Sequence, residues 1–155
     1  MTGRIEARLA ELGITLPQAA APAANYVPWV VAGDLVFVAG QITLWNGELK
    51  FLGRLGAEFG VEQGQEAARL CGLNLIAQVK AAAGGDLDRV RRVVRLGGFV
   101  ACVDGFKDQP KVVNGASDLM VQVFGDAGRH ARAAVGVNAL PLGVAVEVEG
   151  VFQLG

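Results

Sequence analysis

Residues 128–150 read GRHARAAVGVNALPLGVAVEVEG, and two apolar, strand-like runs begin within them, at about 132–138 and 144–153. Leu140-Pro141 marks the turn between them, so a purely local reading pairs the two runs with each other. Successive strand residues point to opposite faces. Arg132, Ala134, Gly136 and Asn138 therefore share one face of the first run, and Ala133, Val135 and Val137 the other. In the second run Glu147 and Glu149 lie opposite Val146 and Val148. If both valine faces meet helices, one arginine and two carboxylates are left on a sparse face among small residues. Such a face either holds a ligand or is a solvated surface whose ion pairs contribute only ~0–1 kcal/mol each.

Working outward, LVFVAGQI at 35–42 is an unbroken β-branched run and reads as a strand buried on both faces. Residues 43–60 are punctuated by glycine and read as a loop or short hairpin. From Val61 the period changes: Ala68, Cys71, Leu75 and Val79 form a helical stripe that stops near Gly84-Gly85. VRRVVRLGGFVACV at 90–103 is again strand-like, with Gly97-Gly98 interrupting it as a bulge would. A second helix begins near Pro110, shows Val112, Ala116, Leu119 and Val123 on one side, and stops at Gly125. Ahead of all this, residues 1–13 predict a short additional helix with Thr2 as its cap and Ile5, Leu9 and Leu12 as its apolar face. Residues 17–28 carry three prolines among alanines and read as an extended connector. The resulting order is β-α-β-α-β-β in one α+β domain spanning 1–155.

Composition narrows the functional classes. The chain is 52% hydrophobic and 19% charged, which excludes disorder and favours a homo-oligomer. A net charge of −1 supplies no field for nucleic acid or acidic membranes. Cys71 and Cys102 lack ligand spacing and read as reduced core residues. No window reaches the ~18 apolar residues of a membrane span, so the expectation is a soluble, cytoplasmic protein without a membrane partner. His130, the one histidine, has no partner nearby in sequence and reads as a capping or surface residue. Arg91, Arg92 and Arg95 lack interleaved aromatics and read as a solvated strand face rather than an RNA contact.

Taken together, LVFVAGQI, NLIAQVKAAAGGDLDRVRRVV, VNGASDLMVQVFG and HARAAVGVNALPLGVAVEVEG resemble the RidA/YjgF family, also called the L-PSP endoribonuclease family, over roughly 20–152. The most specific block is an arginine, a Leu-Pro turn and a glutamate fifteen residues after the arginine: Arg132, Leu140-Pro141 and Glu147. The longer N-terminal helix and the GRHAR variant look like a longer-chain branch of that family.

The resemblance implies a chorismate-mutase-like α+β domain: a mixed sheet with two helices packed on one face, assembled as a homotrimer with clefts between subunits. It also implies that the last strand is inserted centrally, against the local hairpin. The activity it implies is hydrolysis of enamines and imines of the 2-aminoacrylate type to 2-keto acids and ammonia, with no cofactor and no metal. Arg132 would hold the substrate carboxylate, Glu147 would be the catalytic residue that positions water, and Tyr26, Gly40 and Asn114 would complete the binding site. A planar guanidinium grips a carboxylate with two parallel hydrogen bonds, and a partly dry carboxylate exchanges protons with water near neutrality. Two positions depart from the family pattern, Ala39 where a serine stands and Ala134 where a cysteine stands. The alternatives are a non-catalytic module binding a small carboxylate in the same cleft and, ranked below it, a ribonuclease.

Overall fold

The apolar stripes become two long helices laid against one face of a sheet. A computed structural model describes residues 3–21 and 25–155. Its helices are α1 (Arg4–Glu11), α2 (Val61–Ala82) and α3 (Gln109–Phe124). Its strands are β1 (Trp29–Ala32), β2 (Leu35–Gln41), β3 (Leu44–Trp45), β4 (Glu48–Leu49), β5 (Val90–Ala101), β6 (Ala131–Val137) and β7 (Val146–Leu154). Ala68, Cys71, Leu75 and Val79 of α2 face Val112, Ala116 and Leu119 of α3 in one core, all fully buried. Each buried leucine or valine among them contributes roughly 1.5–3 kcal/mol. Burial pushes the Cys71 thiol far above its usual range, with the Glu147 charge adding to it, and both cysteines are free.

The sheet order is β1-β2-β7-β5-β6. Strands β5 and β6 run parallel and the other pairs antiparallel, so the sheet is mixed. Strand β7 lies between β2 and β5, and β6 forms an edge; the two runs of 128–150 are not a hairpin. The reason is the cross-strand match: β7 buries Val146, Val148 and Phe152 in the core between two long partners. Beside β6 they would have had one.

Four local expectations change. Strand β2 is buried on one face only: Val36 and Val38 are covered, but Phe37 is 46% exposed. Helices cover a single face, and Val30, Phe37 and Val151 form a cross-strand row on the other. Gly97 and Gly98 pair in register with Glu149 and Val148, and the irregularities fall upstream, between Val90 and Arg95. Gly98 instead lets α3 approach, since a Cβ there would lie 2.5 Å from Val113 Cγ2. Strand β1 directly follows the predicted connector and was not separated from it by any period in the sequence. The predicted Thr2 cap lies outside the described residues. The observed N-cap is Gly3, and the free amides of Arg4 and Ile5 are capped by Asp88, 84 and 83 residues away, at 2.9 and 2.8 Å. Those bonds hold the Asp88 carboxyl below its usual range. An eight-residue helix is marginal alone, so this cap and the burial of Ile5 and Leu9 fix α1 in place.

Candidate functional site

Register decides where Arg132 points. Leu96 of β5 pairs with Arg132 on one side and Gly150 on the other, so Arg132 shares the helix-covered face with Leu96 and Val148. The alternation along β6 is as the sequence predicts, but its valine face is the open one: Val135 is exposed, whereas Arg132 reaches α3. Its Nη1 donates to Asn114 Oδ1 at 2.8 Å and Ser117 Oγ at 3.1 Å, and Nη2 donates to the Pro110 carbonyl at 3.2 Å. Three of the five guanidinium N–H bonds are thus used among the described residues, leaving Nε–H and one Nη2–H for a ligand. Asn114 and Ser117 are one helical turn apart, which is why one side chain can reach both.

Behind Ser117 stands His130. Its Nδ1 lies 2.6 Å from the Gly128 carbonyl and its Nε2 lies 2.9 Å from Ser117 Oγ. A carbonyl only accepts, so Nδ1 carries a proton, and in the neutral ring Nε2 accepts the serine hydroxyl. His130 is therefore a support for the Ser117–Arg132 contact rather than a surface residue. Neither Ser117 nor this role of His130 was visible in the sequence; the one available signal was the i, i+3 spacing of Asn114 and Ser117.

Glu147 lies on the other face, across from Phe99 of β5. Its carboxylate packs directly over Gly40, where any Cβ would collide with Glu147 Oε2. Burial raises the Glu147 carboxyl above its usual range, and the neighbouring Glu149 charge adds to the rise. Glu149 itself pairs with Arg95 at 3.3 Å, both side chains more than 40% exposed, which is a surface contact of ~0–1 kcal/mol. The two glutamates thus differ: Glu149 is engaged, and Glu147 has no ion pair among the described residues.

Beside Glu147 opens a cavity of about 480 Å³, also lined by Tyr26, Ala39, Gly40, Ile42 and Leu142. Its wall is mostly apolar. Of the five sequence-derived site residues, Tyr26, Gly40 and Glu147 converge here, while Arg132 and Asn114 meet on the opposite face. Ala39 lines this cavity, whereas Ala134 sits beside Arg132 against the core, so the two departures fall in different halves. The basic cluster is a solvated strand face as expected: Arg91 and Arg92 are exposed, Arg92 donates to the Arg129 carbonyl, and Arg95 pairs with Glu149 at the surface.

The family model described as "YjgF/chorismate mutase-like, putative endoribonuclease" matches residues 6–151. The chain belongs to the RidA/YjgF family. Within it, Protein TCP17 of Trypanosoma cruzi is 51% identical over 99% of this chain and 96% of its own length. The crystal structure of Atu1372 from Agrobacterium tumefaciens, a protein of unknown function, superposes with a TM-score of 0.91 at 48% identity, covering 97% of this chain and 92% of that one. TdcF of E. coli, solved with bound serine, aligns with a TM-score of 0.61 at 25% identity, covering 90% and 94% of the two chains. The mixed α+β architecture fits the chorismate-mutase-like fold of that family, and the chain superposes more closely on Atu1372 than on TdcF.

Proposed function

We propose that this chain is an enamine/imine deaminase whose site is completed between copies in a homotrimer. The observation that carries this reading is the division of the site: a cradled guanidinium with two free donors on one face, and a half-buried carboxylate beside a cavity on the other. Within one chain the two halves lie on opposite faces of the sheet, whereas neighbouring copies can bring Arg132 of one to Glu147 of the next. The apolar row of exposed Val30 and Phe37 beside half-buried Val151 supports self-association.

In that cleft the substrate carboxylate sits on the free Nε–H and Nη2–H of Arg132. Glu147 takes a proton from water as the water oxygen adds to the imine carbon, and the nitrogen gains a proton. The tetrahedral intermediate then loses ammonia as its C–N bond breaks and C=O forms. Overall, an imine and water give a ketone and ammonia, with no redox change. Because burial raises the Glu147 carboxyl above its usual range, it holds a proton more readily than an exposed glutamate and is the stronger base once ionised. TdcF with bound serine shows that a relative takes up a small amino acid bearing a carboxylate. The test is release of 2-keto acid and ammonia from freshly generated 2-aminoacrylate; equal activity in wild type, Arg132→Ala and Glu147→Ala would overturn the assignment. A second reading is favoured by Ala39, which puts a methyl group rather than a hydroxyl at that point of the cavity wall: the same cleft binds a small carboxylate without turning it over. Its signature is calorimetric binding of a 2-keto acid that depends on Arg132, with no turnover of any imine.

A further inference from the structure

The one histidine of the chain, His130, is half-buried with both ring nitrogens engaged. Nδ1 donates to the Gly128 carbonyl whether or not the ring is charged, so only the Nε2 contact changes with protonation. In the neutral ring Nε2 accepts the Ser117 hydroxyl at 2.9 Å, and Ser117 Oγ accepts Arg132 Nη1–H at 3.1 Å. When Nε2 takes up a proton it becomes a donor. The Ser117 hydroxyl hydrogen then turns away, and Oγ receives both the imidazolium and the guanidinium. One oxygen stands between two cations whose nitrogens are no more than about 6 Å apart. Both side chains belong to half-buried residues, so salt screens them less than a surface pair.

The chain itself supplies no counter-charge for the second cation. The elements around this corner are α3, the turn Gly125–Gly128 and β5. On α3 stand exposed Asp118 and Lys111, the latter paired with Asp108. In the turn, Asp126 pairs with Arg129. On β5, Arg91 is exposed, Arg92 donates to the Arg129 carbonyl and Arg95 pairs with Glu149. Among the described residues no carboxylate pairs with His130, and Arg132 is the charged group that shares a hydrogen-bond partner with it.

A ligand carboxylate on the free Nε–H and Nη2–H of Arg132 would supply that charge. It offsets the guanidinium, relieves the repulsion, and lets the ring take its proton more readily. Such coupling is reciprocal, so the protonated ring binds the carboxylate more tightly by the same factor. Competition for Ser117 Oγ acts in the other direction. Asn114 Oδ1 and the Pro110 carbonyl still orient Arg132, however, and the charge effect therefore sets the sign.

We propose that His130 is a proton-linked positioning residue, which tightens carboxylate binding at Arg132 as pH falls from about 8 to about 5, where histidines ordinarily titrate. This rests on the reading that Arg132 holds the ligand carboxylate, and it does not require turnover. An arginine without this neighbour would show no such dependence, because a guanidinium keeps its charge across the range.

The experiment is calorimetric titration of pyruvate into the full chain carrying Glu147→Gln, at about pH 8 and about pH 5.5. The substitution silences the raised Glu147 carboxyl, and the pyruvate carboxylate stays ionised throughout. Kd should fall about 10-fold on acidification, with net proton uptake read from buffers of different ionisation enthalpy. The ring signal of a lone histidine is unambiguous in NMR, and saturating pyruvate should move its titration to higher pH. His130→Gln keeps a donor and an acceptor but cannot titrate, so its Kd should be the same at both pH values. The NMR titration needs no change at His130, and it decides the matter if that variant does not fold. An unchanged Kd, looser binding in acid, a histidine titration that pyruvate does not move, or a pH dependence that survives in folded His130→Gln would each overturn the proposal. Binding that an added Arg132→Ala does not weaken would overturn the anchor and the proposal together. Imine turnover is measured in parallel on protein with Glu147 intact. Proton-linked binding without turnover refutes the deaminase reading alone, and turnover with pH-independent binding refutes the linkage alone.

Discussion

The surroundings of Arg132 and of Glu147 are built by opposite means. Arg132 is held by three acceptors from α3, with His130 behind one of them. Glu147 is shaped by what is missing: no ion pair among the described residues, no side chain at Gly40, and an apolar wall alongside. The difference follows from what each group must do. A guanidinium keeps its charge at any working pH, so its function depends on orientation and is served by hydrogen bonds. A carboxylate that trades protons depends on its environment, and partial burial without a compensating cation supplies that.

The largest expected effect tests whether the two halves meet. Arg132→Ala and Glu147→Ala should each lower imine turnover by roughly 10²–10⁴-fold. If the halves come from different copies, unfolding and refolding the two variants together should restore about one quarter of wild-type activity, because that share of randomly formed clefts draws both intact residues. No recovery in a correctly assembled mixture would place both residues in one chain's site.

Stability should separate the halves by sign. Asn114→Ala strips an acceptor from a charged donor and should cost roughly 1–2 kcal/mol in urea unfolding. Glu147 has a raised folded-state pKa, so its proton is bound more tightly in the folded chain than in the unfolded one. Folding stability is therefore greatest below the usual carboxylate range and declines as pH rises through the raised value. Glu147→Gln should accordingly raise the melting temperature at pH 7 while abolishing turnover. A fall instead would show that a cation from another copy already compensates Glu147.

A smaller effect concerns pH dependence. Turnover that needs ionised Glu147 should fall as pH drops through its raised pKa. Glu149→Gln removes a nearby negative charge and frees Arg95, so the acid limb of the pH–rate profile should move to lower pH, though burial keeps it above an ordinary glutamate. The smallest effect is expected far from both halves. Asp88→Ala removes the α1 cap and should lower the melting temperature slightly with no change in turnover. Because Asp88 has a lowered folded-state pKa, its contribution is present above the ordinary aspartate range and is lost as pH falls through the lowered value, where variant and wild type converge.

Much of this was readable in the chain. The stripes of α2 and α3, the reduced Cys71 and the stop at Gly125 all follow from local periodicity, and they agree with the structure. Alternation also showed which β6 residues share a face, but not which face meets the helices. That depends on Leu96 pairing with Arg132, a contact 36 positions apart that no strand contains by itself. Phe37 failed for a related reason: an apolar run reports dryness or self-association equally, and cannot say whether its own chain supplies the cover. The Asp88 cap and the Ser117–His130 support were silent because each joins ordinary polar residues that only the fold brings together.

The central place of β7 has a consequence for how the molecule comes into being. Both β2 and β5 wait for a neighbour that is translated after every other strand of the sheet. Until residue 154 is made, the nascent chain carries a strand-wide gap with two open edges, each able to pair with another chain. Closure of the sheet thus waits for its last strand, and the β2–β7 contacts, spanning more than a hundred residues, make it slow. The interval before closure is when this protein is most exposed to aggregation, whatever its stability once closed.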